Sequence, residues 1–228
     1  MTIMTIYSIV FVVILICIYI KINKSSNITI SQPPIFIHIP KNAGSYIEEI
    51  GKANGYKWGK YNENTERDSN DIPCNHWHIP PKYMKDVGKN EYNNKTFCII
   101  RDPYERMISE YKWFSHISFK STSKEKLNEY VHTLPKRIKN NPYSYDCHLL
   151  PQTEFIFDEN GNRTCDVILE MNDLNTEYLN SELNLNLQHV DNVKRNALYS
   201  DLSIKDLDQE SIDIINTIYA SDFNFINS

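Results

Sequence analysis

The sequence predicts an α/β fold, a P-loop-like and mainly parallel sheet flanked by helices, with an N-terminal transmembrane helix ahead of it. Three observations carry this. Short β-branched and aromatic runs alternate with helical stretches, as in a parallel sheet. The two earliest runs each end in a turn that leads straight into a helix start. And the stretch from Ile3 to Ile20 is almost unbroken apolar sequence, close to the ~20 residues a bilayer requires.

Taken in order, the apolar run ends in Lys21-Ile22-Asn23-Lys24. A cleaved signal peptide would have a shorter apolar core and a small-residue cleavage site, so an uncleaved anchor over 1–24 is the favoured reading. Residues 25–33 form a short polar stem ending in prolines, and 34–228 form the main domain. Orientation stays open. Lys21 and Lys24 vote for a cytosolic domain, whereas Asn-x-Ser/Thr sequons at Asn23, Asn27, Asn94 and Asn162 vote for a lumenal one.

Within the domain, Ile35–Ile39 reads as a strand, Pro40–Ser45 as a turn and Ser45–Lys52 as a helix. Residues 56–74 read as loop. Thr96–Ile100 is a second strand. Asp102-Pro103-Tyr104-Glu105 then opens a helix that runs through Trp113: Asp102 caps it, Pro103 suits its first position and Glu105 completes a capping box. Residues 118–148 read as polar helix. Glu154–Phe157 and Asp166–Leu169 read as strands around an Asp158–Gly161 turn, followed by helices over Leu174–Leu183 and Asp206–Ala220.

The net charge of −5 argues against a nucleic-acid footprint, so an anionic ligand has to be held by local donors. Five dispersed cysteines show no zinc spacing. Cys147 and Cys165 bracket the expected hairpin and are either bridged or free thiols.

Two motifs carry chemistry. Pro40-Lys41-Asn42-Ala43-Gly44-Ser45 lies between strand and helix, where backbone N–H groups and the helix N-terminus favour a phosphate. Gly44 permits close approach and Lys41 supplies a charge. The pattern lacks the Gly-Lys-Ser/Thr of a nucleotide kinase. In the second motif, Arg101 ends its strand and Ser109 follows two helical turns on, a guanidinium and a hydroxyl suited to a phosphate monoester.

Together the two motifs resemble the Golgi-type carbohydrate sulfotransferases. Phe36-Ile37-His38-Ile39-Pro40-Lys41-Asn42-Ala43-Gly44-Ser45 is similar to their 5′-phosphosulfate loop. Ile100-Arg101-Asp102-Pro103-Tyr104-Glu105-Arg106 through Ser109-Glu110-Tyr111 is similar to their 3′-phosphate motif. Further likeness runs through His148–Gln152, Gln188–Asn192 and Tyr219–Phe223, so it covers roughly residues 34 to 225. The resemblance implies a single-pass Golgi membrane protein with a lumenal domain, 3′-phosphoadenosine 5′-phosphosulfate (PAPS) as co-substrate, a carbohydrate acceptor and no metal. It implies that Lys41 meets the phosphosulfate, that backbone amides of Asn42, Ala43, Gly44, Ser45 and Tyr46 cradle the 5′-phosphate, and that Arg101 and Ser109 hold the 3′-phosphate. Asn192–Asn196, with Lys194 and Arg195, would close over the cofactor.

Transfer needs a base for the acceptor hydroxyl, and histidine suits neutral pH. His76 and His78 alternate on what reads as an extended segment, so both would face one cleft. His78, just before Ile79-Pro80-Pro81, matches the family placement, with His76 as helper; the order can be reversed. His148 is a candidate substrate contact and His38 reads as structural. No third zinc ligand is suggested near the two histidines. The alternatives to a sulfotransferase are a P-loop nucleotide kinase and a non-catalytic nucleotide-binding protein of the same fold.

Overall fold

The sheet is all parallel and runs β1–β2–β3 in space as in sequence. The structure, a computed structural model, describes residues 33–62, 72–83, 95–118, 122–190 and 201–228. The expected anchor and stem through residue 32 lie outside the described residues, as does the 192–196 closure segment. Among the described residues no helix is long and apolar enough to cross a membrane. Pro33–Ser228 form one compact unit.

Strand β1 (Ile35–Phe36) pairs with β2 (Thr96–Ile100), Ile35 opposite Thr96 and Phe36 opposite Phe97. The ladder reaches one residue further, since Ile37 N–H donates to Phe97 O at 2.8 Å. Strand β2 then pairs with β3 (Val167–Glu170), Phe97 through Ile100 opposite Val167 through Glu170. All five residues of β2 are buried, the expected state of a central parallel strand covered on both faces. Phe97 and Ile99 point to one side, into a core with Ile47 and Ile50 of α1 (Gly44–Ala53) and Leu179 and Leu183 of α6 (Thr176–Leu183). Cys98 and Ile100 point to the other, against Leu150, Phe155 and Ile156. A third core joins α2 (Pro103–Ile117), α3 (Lys124–His132) and α7 (Gln209–Ile218) through Ile108, Tyr111, Leu127, Val131 and Ile215. Short helices α4 (Leu134–Asn140), α5 (Thr153–Ile156) and α8 (Ala220–Ile226) complete the described elements.

The parallel sheet puts the carboxyl ends of β1 and β2 on one edge, where each chain leads into a helix. The α2 start follows the sequence: Asp102 accepts from the Tyr104 and Glu105 N–H groups and Pro103 opens the helix. Glu105 does not close the expected capping box; its carboxylate accepts from Arg101 Nε at 3.3 Å.

Three local expectations are corrected. Residues 153–156 are helix α5, and only a single antiparallel bridge, Phe157 with Arg163, marks the turn between. A run of three apolar residues, Phe155–Phe157, is too short to decide between the elements, and here Phe155 and Ile156 bury under the sheet while β3 takes the open edge of β2. The polar 118–148 stretch breaks after α4, with Tyr145, Asp146 and Cys147 all at positive φ. Cys147 bridges to Cys74, 73 residues earlier, rather than to Cys165. Cys165 is a free buried thiol beside Cys98.

Candidate active site

The turn after β1 is held in a shape few side chains adopt. Lys41 (φ 70) and Ala43 (φ 59) both occupy the left-handed region, a costly conformation that persists only where the surroundings fix it. The fixing residue is Asn42, buried between them. Its Nδ2 donates to Ile99 O at 2.8 Å and to Gln152 Oε1 at 2.6 Å. The same Gln152 amide accepts from Arg101 N–H at 3.0 Å and donates to Arg101 O at 2.8 Å. Arg106 adds a second tie: its guanidinium donates to the carbonyls of Pro40, Leu150 and His148 at 2.9–3.0 Å. Arg101 Nη1 in turn donates to Lys41 O at 3.3 Å. The lysine turn and the arginine strand end therefore touch.

Helix α1 begins in this turn, and its first N–H groups have no intrahelical acceptor. Of the amides expected to face an anion, Asn42 N–H already bonds Ile39 O and Tyr46 N–H bonds Ala43 O. That narrows the set to Ala43, Gly44 and Ser45. The bare Cα of Gly44 has a further reason. A Cβ there would lie 1.8 Å from His38 Nε2, so the His38 ring rests on the start of the helix.

His76 and His78 do not sit on an extended strand. Residues His76–His78 form one 3-10 turn, and at about three residues per turn the two rings diverge instead of sharing a face. His76 packs edge-on to Trp77. His78 turns inward between two other histidines, its ring centroid 4.5 Å from His38 and 5.0 Å from His148. Each of the three has a carboxylate on Nδ1: Glu48 on His38 at 2.8 Å, Asp146 on His78 at 2.7 Å and Glu110 on His148 at 2.7 Å. Bonding at Nδ1 leaves Nε2 as the working nitrogen of each ring.

His78, Asp146 and His148 also bring three donor atoms within 4.8 Å of one another, a third ligand the sequence did not suggest. Two of these residues already bond each other, and His148 Nδ1 is bonded to Glu110. The three residues are arranged in hydrogen-bonded histidine–carboxylate pairs.

The Sulfotransferase family model matches residues 29–227. The chain belongs to the sulfotransferase family. It is accordingly a sulfotransferase enzyme. No curated protein and no solved structure matches it.

In this sulfotransferase the electrostatics follow burial. Desolvation pulls the Lys41 ammonium down to about 8, with Arg101 and Arg106 pushing the same way and Glu110 opposing. Lys41 Nζ lies over the Trp113 ring, 5.2 Å from its centroid, and Trp113 packs against His148 at 4.5 Å. Burial also lowers His78 below the usual histidine value, against the hydrogen bond and charge of Asp146. Asp146 is itself held to about 2: burial would raise it, but His78 and the Asn75 N–H groups overcome that. Ser109 is half-buried on α2, one turn beyond Glu105 and one turn before Trp113. The sequence reading missed His38 as part of this cluster, and missed Glu48, Glu110, Asp146 and Gln152 altogether. Of these Gln152 and Glu110 had a signal, inside the His148–Gln152 and Ser109-Glu110-Tyr111 likenesses.

Proposed function

We propose that this sulfotransferase moves a sulfuryl group from PAPS to a carbohydrate hydroxyl, with His78 as the base. The observation that carries the reading is the contact between Lys41 O and the Arg101 guanidinium. It sets two positive groups at adjoining strand ends, where one nucleotide carrying a phosphate at each end can span them.

In this reading Ala43, Gly44 and Ser45 N–H groups and the α1 terminus hold the 5′-phosphate. Arg101 and Ser109 hold the 3′-phosphate. Lys41 meets charge that develops on the departing phosphate oxygen. His78 Nε2 takes the proton as the acceptor oxygen bonds sulfur and the sulfur–phosphate oxygen bond breaks, releasing adenosine 3′,5′-bisphosphate. The sulfuryl group carries less charge than a terminal phosphoryl group, so positioning and neutralisation by side chains suffice.

Two half-buried indoles, Trp77 beside His78 and Trp113 beside His148, give the acceptor side apolar faces of the kind on which a sugar ring stacks. The Cys74–Cys147 bridge favours an oxidising compartment, in keeping with a lumenal domain on a secretory membrane. The test is transfer of labelled sulfate from PAPS onto a panel of uronic-acid, hexosamine and galactose glycans. Lys41→Ala is expected to lower kcat about 10²–10³-fold, and His78→Ala to abolish most transfer with nucleotide binding intact. Arg101→Ala is expected to act mainly on nucleotide affinity. Full activity without Lys41 defeats the reading.

A further inference from the structure

Four links tie the segment carrying His78 to the segment carrying Asp146. Cys74 is disulfide-bonded to Cys147. Asn75 donates to Asp146 from its backbone N–H, and from Nδ2 at 2.6 Å. His78 Nδ1 completes the set at 2.7 Å from Asp146 Oδ2. Among the described residues no strand pairing joins these two segments, and the 3-10 turn at His76–His78 is local.

Asp146 sits in the middle of three consecutive non-glycine residues at positive φ, 55, 61 and 63 for Tyr145, Asp146 and Cys147. Such a backbone is held only when its surroundings over-determine it, and the covalent tie falls on the next residue. Lys41, Asn42, Arg101 and Gln152 are fixed by a separate network through Ile99 O and the Arg101 backbone. The base therefore has ties of its own, although Arg106 also joins the lysine turn to the His148 and Leu150 carbonyls just beyond Cys147.

We propose that Asp146 is a positioning residue for His78, holding its tautomer and ring orientation, and that the Cys74–Cys147 disulfide keeps Asp146 in place, so that proton removal fails on reduction while nucleotide binding survives. This rests on the reading of His78 as base. Asp146 stands to His78 as the carboxylate of a hydrolase triad stands to its histidine. Half-buried Cys74 gives a small reductant a route to the bridge. The groups facing His78 are Asp146, the His38–Glu48 pair and the His148–Glu110 pair. Among these Asp146 alone hydrogen-bonds the His78 ring.

The experiment uses the full chain, wild type and Asp146→Asn, each with and without a phosphine reductant, with Cys74→Ser/Cys147→Ser as the covalent control. Three quantities are read: kcat on the acceptor selected from the glycan panel, calorimetric affinity for adenosine 3′,5′-bisphosphate, and the His78 titration by imidazole NMR. Asp146→Asn is expected to lose at least tenfold in kcat and to keep nucleotide affinity within twofold. Its His78 midpoint and the acidic limb of its rate profile move to lower pH, because the raising influence of the carboxylate is gone. Reducing the wild type gives the same signature, and reducing Asp146→Asn adds nothing, since both act through one contact. An unchanged His78 titration in Asp146→Asn overturns the proposal. So does nucleotide affinity that falls in step with kcat, or full activity of the reduced wild type. If His78→Ala turns over normally, the base reading itself has failed; an inactive His78→Ala beside a fully active Asp146→Asn sinks only the positioning role.

Discussion

Lys41 is half-buried beside Trp113 and near two arginines, with its pKa near 8, which has a kinetic consequence. Below that value it is a cation, able on the proposed reading to meet the phosphosulfate; above it the charge is lost. The free-enzyme profile of kcat/KM for PAPS should fall on an alkaline limb near pH 8, and Lys41→Arg should move that limb out of the accessible range. At Gly44 the question is space. An added methyl would run into His38 Nε2, and His38 abuts His78, so Gly44→Ala should depress kcat although it is a helix-favouring change. Lys41, Arg101 and His78 could be proposed from the sequence because each lies in a contiguous motif. The sequence did not show a role for Glu48, Glu110 or Asp146. Each of those earns its role from a histidine 10, 38 or 68 residues distant, and no local pattern encodes such a meeting.

Among the elements, strand β2 and helix α2 were readable to within a few residues, because burial on both faces and a capped helix start leave plain signatures. A run of three apolar residues was not: 154–157 reads as strand, yet Thr153–Ile156 fold as helix α5. That helix matters because Gln152 stands just before it. One amide there bonds the lysine turn through Asn42 and the end of β2 through both backbone groups of Arg101. Gln152→Ala leaves several buried polar groups unpaired and should cost roughly 2–4 kcal/mol of stability, measured by denaturant unfolding. Nucleotide affinity should fall with it, whereas Gln152→Glu keeps the acceptor but loses the Nε2 donor and should fall between the two.

At the scale of the molecule, a parallel sheet flanked by helices was legible from alternating strands and helices, although four strands were expected and three form among the described residues. The disulfide was not, because connectivity among dispersed cysteines depends on which loops meet. Removing it with Cys74→Ser/Cys147→Ser should lower stability by roughly 2–5 kcal/mol, read as a lower midpoint in thermal unfolding. The C-terminal helices hold a less obvious share of the site. The buried Asp222 carboxylate of α8 accepts from the Gln152 and Thr153 N–H groups at 2.9 and 3.0 Å, and so anchors the residue that anchors both motifs. On the proposed reading, a ribosome that has delivered both motifs has still not supplied their common support, which comes late in synthesis with Asp222; donor binding by a newly made molecule would then report that its C-terminal helix has docked.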